Sequence, residues 1–197
     1  MKKAVRNFVV VAGASVLMML TMACSSAQPT ATPGVDQMGQ FIMMEKGPEL
    51  EAVIGYRFAA QNLGDDWLIL ETALTSPFSD MTEVERSNIW VMTPDGRKIN
   101  LAGQKEFNEG YSKLRPLIHK SDVARDPLNY FPPSRKPCEL GFFVEPGQGV
   151  AFNSVTVNYK RGCQGKLFFK IPDGVKAGQW KFGIDLPNSK ILIPFDL

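Results

Sequence analysis

"GQWKFGIDLPNSKILIPFDL", residues 178–197, decides the fold. Trp180, Phe182, Ile184 and Leu186 fall on one face of an extended chain; Lys181, Gly183 and Asp185 fall on the other. After Pro187-Asn188-Ser189 the period of two resumes at Ile191, Ile193, Phe195 and Leu197. Alternation of this kind predicts a β-hairpin with one buried face. Working back, "GKLFFKIPDG" turns Leu167, Phe169 and Ile171 inward. "VAFNSVTVNYK" puts Val155, Val157 and Tyr159 on one side, and the opposite parity of Phe152 predicts a bulge near Asn153.

The rest of the body continues the pattern. "ELGFFVEPGQG" reads as a strand and turn, "EAVIGYRFAA" carries Ile54, Tyr56, Phe58 and Ala60 on one face, and "WLILETAL" is apolar enough for a central strand. "SNIWVMTPDGRKINL" reads as two short strands around Pro94-Asp95-Gly96. About eight strands joined by short turns, with no βαβ rhythm, predict an all-β, antiparallel sandwich over residues 41–197.

The exception is residues 103–137, "GQKEFNEGYSKLRPLIHKSDVARDPLNYFPPSRKP". Phe107, Tyr111 and Leu114 are spaced for a short helix, which Pro116 is expected to stop. The remainder reads as irregular, giving a long, partly helical insertion of the kind that often carries function. Charge is unevenly distributed around it. Residues 97–136 hold nine Lys/Arg against four Asp/Glu, net +5, whereas residues 24–96 hold three against eleven, net −8. Two readings are open: the basic insertion folds back on the acidic part, or Lys113, Arg115, His119, Lys120, Arg125, Arg135 and Lys136 face solvent beside Tyr130 and Phe131. The second would attract an anionic partner such as a glycan, a lipid headgroup or an acidic protein face.

The N-terminus reads as a secretion signal over residues 1–23. Lys2, Lys3 and Arg6 precede an apolar run from Phe8 to Met22, and that run is too short to cross a roughly 30 Å hydrocarbon core. At Ala23-Cys24 the chain resembles bacterial lipoproteins, with Thr21 standing where that family usually has Leu. The resemblance implies cleavage before Cys24, acylation of its thiol, and, with Ser25 next, sorting to the outer membrane if the cell has two membranes. Acyl chains at about 0.8 kcal/mol per buried CH₂ anchor a protein firmly when there are two or three. The alternative is a soluble secreted protein cut after Ala27. Residues 24–40, rich in Ser, Pro, Thr and Gln, read as a flexible linker.

Composition supports a globular domain: 44% of residues are apolar and 21% charged. Without Cys24, Cys138 and Cys163 remain, and in an oxidising compartment they read as a disulfide worth roughly 3–3.5 kcal/mol in the chain-entropy model. Catalytic motifs are absent: there is no Gly-x-Ser-x-Gly elbow, no Ser-x-x-Lys pair and no phosphate loop, and His119 is the single histidine. Asp65-Asp66 and Glu83/Glu85 are the nearest carboxylate pairs and read as solvated acids. No metal, cofactor or nucleic acid is implied, although clustered carboxylates in a cleft would point to an enzyme.

"CQGKLFFKIPDGVKAGQWKFGIDL…ILIPFDL" resembles the closing strands of telokin-type, immunoglobulin-like modules found in many bacterial lipoproteins. That likeness implies an immunoglobulin-like sandwich and carries over no functional residues. The expectation from sequence is therefore a lipid-anchored cell-envelope protein that binds or scaffolds, without enzymatic activity. Its alternatives are a carrier or sensor of an anionic ligand held by the insertion, and an envelope enzyme.

Overall fold

A computed structural model describes residues 34–78, 80–131 and 136–197, with the side chains of Lys136 and Pro137 outside that description. The segment expected to be a secretion signal, Cys24 and Arg135 also lie outside it. The elements run β1 (Val35–Gly39), β2 (Ile42–Lys46), β3 (Glu51–Gly55), α1 (Arg57–Gln61), β4 (Trp67–Thr75), β5 (Thr82–Glu85), β6 (Ile89–Met92) and β7 (Lys98–Asn100). They continue with α2 (Gln104–Ala124), β8 (Lys136–Glu139), β9 (Ser154–Val157), β10 (Arg161–Lys170), β11 (Gln179–Asp185) and β12 (Lys190–Asp196). The fold is mostly β. A six-stranded sheet in the order β1-β2-β3-β4-β10-β8 and a four-stranded sheet β12-β11-β6-β7 are accompanied by a separate short pair, β5-β9.

The two larger sheets share one core. Ala52 and Ile54 of β3, Leu68, Leu70 and Leu74 of β4, and Leu167 and Phe169 of β10 belong to one buried cluster with Ile89, Val91, Phe182, Ile184, Ile191 and Ile193. The hairpin of β11 and β12 pairs Trp180 with Phe195 and Ile184 with Ile191, as the alternation of residues 178–197 predicts.

A second layer covers the other face of the large sheet. Trp67, Ile69 and Phe168 point away from the common core and pack against Phe107 and Leu114 of α2, with Tyr111, Leu117 and Ile118 at the margin. These helix positions recur at intervals of three and four, forming one apolar stripe. The chain leaving α2 then lays Leu128, with half-buried Tyr130 and Phe131, over Ile42, Met44, Val53 and Ala73. Helix and sheet meet closely at Gly110, where a Cβ would lie 2.6 Å from Trp67 Cζ2.

Several expectations change. Pro116 does not stop α2, which runs to Ala124 with Pro116 inside it and exposed. The missing N–H leaves only a solvent-side carbonyl without its helical donor, and water can satisfy it. The body starts inside the stretch expected to be linker, because Val35–Gly39 pairs with β2. The strand through Ile54 ends at Gly55, and Phe58 and Ala60 belong to α1. Phe152 precedes β9 instead of bulging from it, and its ring lies against Gly141, where a Cβ would approach Phe152 Cδ2 to 2.9 Å. The sheet is not wholly antiparallel: β8 pairs with β10 in parallel, setting Cys138 opposite Cys163 with Cα atoms 4.4 Å apart, a disulfide-capable pair.

Half-buried Arg86 ties the layers together, with no carboxylate partner among the described residues. Its guanidinium donates to the carbonyl oxygens of Ala102 at 2.7 Å and Phe152 at 3.2 Å, and to that of Phe142. It also lies 4.8 Å over the Phe143 ring.

Gly110→Ala should test the cover directly. Alanine favours a helix by about 1 kcal/mol over glycine, yet here its methyl group must displace Trp67, and overpacking costs typically 1–3 kcal/mol. Equilibrium urea unfolding should show a less stable variant; a more stable one would mean α2 does not rest on Trp67.

Candidate functional site

A cleft of about 960 Å³ opens on the helix-covered side of the large sheet. Phe107 and Ile118 of α2 form one wall, Arg125 to Asn129 close one end, and Cys138 to Phe143 form the opposite wall. Phe107, Phe143 and Phe168 build its apolar part, with ring centroids 4.9–5.1 Å apart. Gln104 fixes the geometry near that aromatic cluster: its amide donates to Val144 O at 2.6 Å and accepts from Val144 N at 3.2 Å.

The polar part centres on two residues facing each other across neighbouring strands. Glu71 of β4 and Lys166 of β10 are register partners, with 3.7 Å between Lys166 Nζ and Glu71 Oε1. Lys166 is drawn more closely to Asp122 near the end of α2. Glu71 Oε1 is buried and accepts no hydrogen bond among the described residues. Burial pushes the Glu71 carboxyl above its ordinary value of 4.5 and Asp122 adds to the push, while Lys166 and Arg125 pull it down. At one end, Asp126 is held by the Arg57 guanidinium through bonds of 2.8–3.0 Å.

The residues expected to bind a partner are not gathered in one place. Arg125 lines the cleft and is exposed at its rim. Lys113, Arg115, His119 and Lys120 lie on the solvent side of α2. Lys113 stands 3.9 Å from Asp66. Tyr130 and Phe131 are half-buried against the sheet, and Lys136 contributes its backbone to β8. The insertion folds back on an apolar stripe; Lys113 meets Asp66 in the expected polarity, while its acids Asp122 and Asp126 meet the body's bases Lys166 and Arg57 in the reverse one.

Sequence reasoning missed most of the lining: Glu71, Asp126, Asn129, Glu139, Glu145, Gln164 and Lys166. One signal was available in "WLILETALT", where Glu71 is the single ionisable side chain of a central strand. Four carboxylates line the cleft, yet among the described residues no three His, Cys, Asp or Glu side chains converge as a metal site.

Glu71→Gln should reveal the cost of this arrangement. The folded state keeps the Glu71 proton to a higher pH than the unfolded chain, so its stabilising contribution is complete below 4.5 and is lost as pH rises through the elevated value. The stability of the variant relative to the unsubstituted protein should therefore grow between pH 4.5 and neutrality in thermal unfolding. A pH-independent difference would contradict it.

Compared with protein-family models, with curated proteins and with solved structures, the chain matches none.

Proposed function

We propose that this is a lipid-anchored cell-envelope protein whose body binds a segment of another protein in the cleft beside α2, without catalysing a reaction. The observation that carries the proposal is the pairing of an aromatic cluster with a sheet edge at one opening: β8 is the last strand of its sheet among the described residues, and Cys138 and Glu139 line the cleft. An extended peptide laid along such an edge gains main-chain hydrogen bonds, and its alternate side chains reach Phe143 and Phe168. Arg125 at the rim would meet an acidic side chain, and Glu139 a basic one. A purely anionic ligand, the carrier alternative, is less well suited to a lining with four carboxylates and two cations.

The anchoring half of the proposal rests on the Lys/Arg start, the apolar run and Cys24, with acyl chains holding the body at an envelope membrane, the periplasmic face of the outer one in a cell that has two. The cysteine pair Cys138 and Cys163 suits such an oxidising compartment. The likeness of the closing strands to telokin-type modules, together with a two-sheet core ended by the β11–β12 hairpin, supports an immunoglobulin-like ancestry for the body.

Two measurements test these halves separately. A photocrosslinking residue at Asn129, exposed in the cleft, should trap a defined protein in intact cells, whereas one at Lys98, exposed on the four-stranded sheet, should not; equal trapping or none would refute the cleft as a binding site. Cys24→Ala should move the protein from the membrane fraction to the soluble fraction, and unchanged sedimentation would refute acylation as the anchor.

A further inference from the structure

The strand register places several chain segments at one end of the large sheet. Val35, where β1 begins, lies opposite Glu45; Lys46 lies opposite Glu51; and Glu51 lies opposite Thr75 at the end of β4. Cys163, near the start of β10, lies opposite Leu74. The chain therefore enters the body at the same end where β4 stops and β10 starts.

Three large apolar side chains are exposed at this end. Phe78 is 52% exposed, Met81 63% and Tyr159 39%. The segments that carry them are neighbours: Tyr159 N donates to Phe78 O at 2.8 Å, and Asn158 Nδ2 lies 4.0 Å from Met81 Sδ. Lys160 Nζ stands 5.2 Å over the Tyr159 ring, and Arg161 follows it at the surface. Asp80 and Glu83 are exposed on the neighbouring segment.

Resting on the reading that Cys24 is acylated, we infer that this end of the sandwich lies on the lipid bilayer, with Phe78, Met81 and Tyr159 seated in the interface. Residues 25–34 separate the acylated position from β1, and a chain of that length spans at most about 35 Å. β1 and β4 are three strand spacings apart, about 14 Å, so the apolar cluster is well within reach of the anchor. The opposite end lies a further strand length away, about 30 Å for the nine residues of β4. Resting that end on the membrane would draw the linker taut along the whole sheet. Phenylalanine, methionine and tyrosine are suited to the boundary between headgroups and acyl chains, where tyrosine keeps its hydroxyl wet.

The test uses the full-length acylated protein in phosphatidylcholine vesicles with bromine on the acyl chains. Phe78→Trp places a reporter in the cluster, and Leu63→Trp places one at the opposite end, where Leu63 is 47% exposed before β4. The native Trp67, Trp90 and Trp180 are buried and set a common background. The Phe78→Trp emission should shift to the blue and lose most of its added intensity; that of Leu63→Trp should do neither. Equal quenching at both positions, or none at Phe78→Trp while the protein floats with the vesicles, overturns the inference and leaves the anchor intact. Failure to float, with no fatty acid on Cys24 by mass spectrometry, removes the anchor and this inference with it.

Discussion

β4 is buried on both faces, and the rest of the architecture follows from that. Trp67, Ile69 and Ala73 face one way and Leu68, Leu70 and Leu74 the other, each at most 3% exposed. Burying a side chain of this size contributes roughly 1.5–3 kcal/mol, so neither face can be left to water. The four-stranded sheet covers one side. On the other, α2 and the segment through Phe131 form a third layer built from what looks, by composition, like an irregular insertion.

The same constraint explains where the cleft is. Apolar cover is continuous over Trp67 and Ile69 beneath α2, and again over Ala73 beneath Leu128. Between the two lies Glu71, on the same face by strand parity, where a carboxylate cannot take an apolar cap. Lys166 sits directly across from it, and Asp122 is drawn to the same ammonium. A buried ion pair seldom repays its desolvation, and the upward push on Glu71 expresses that deficit. Such a position is more readily understood as a requirement of the cleft than of the fold.

What could be read from the sequence was what repeats locally. The hairpin of β11 and β12 and the pair β6–β7 around Pro94-Asp95-Gly96 announce themselves through period-two alternation and turn residues. β1, β2 and β5 do not: β1 is polar and exposed at the sheet edge, and β5 is four residues with one buried side chain, Val84. The helical period of α2 was visible at Phe107, Tyr111 and Leu114, but Pro116 hid its length because sequence gives no sign that this turn faces water. The cysteine pair was countable, whereas the parallel pairing that brings Cys138 beside Cys163 depends on a long-range register. The cleft was least legible, since β4, α2, β8 and β10 each supply a few residues to it. Its one local trace, a glutamate inside an apolar strand, reads equally as a solvated edge until the covering layer is known.

The geometry of the body also links its two proposed surfaces. Glu71 stands four residues from Thr75 along β4, about 13 Å from the end where the chain enters. With that end on a bilayer, the cleft would open sideways at that height, parallel to the membrane plane instead of away from it. With the strands standing on the bilayer, a peptide paired with β8 would run along the membrane normal, one end level with Lys136, which lies opposite Arg161 at the membrane-facing end of the sheet. Orientation would thus restrict what the cleft can take, favouring partners that are themselves held near the membrane. The linker and the apolar cluster would contribute to recognition without touching the partner, by limiting the height and direction from which it can reach the aromatic cluster.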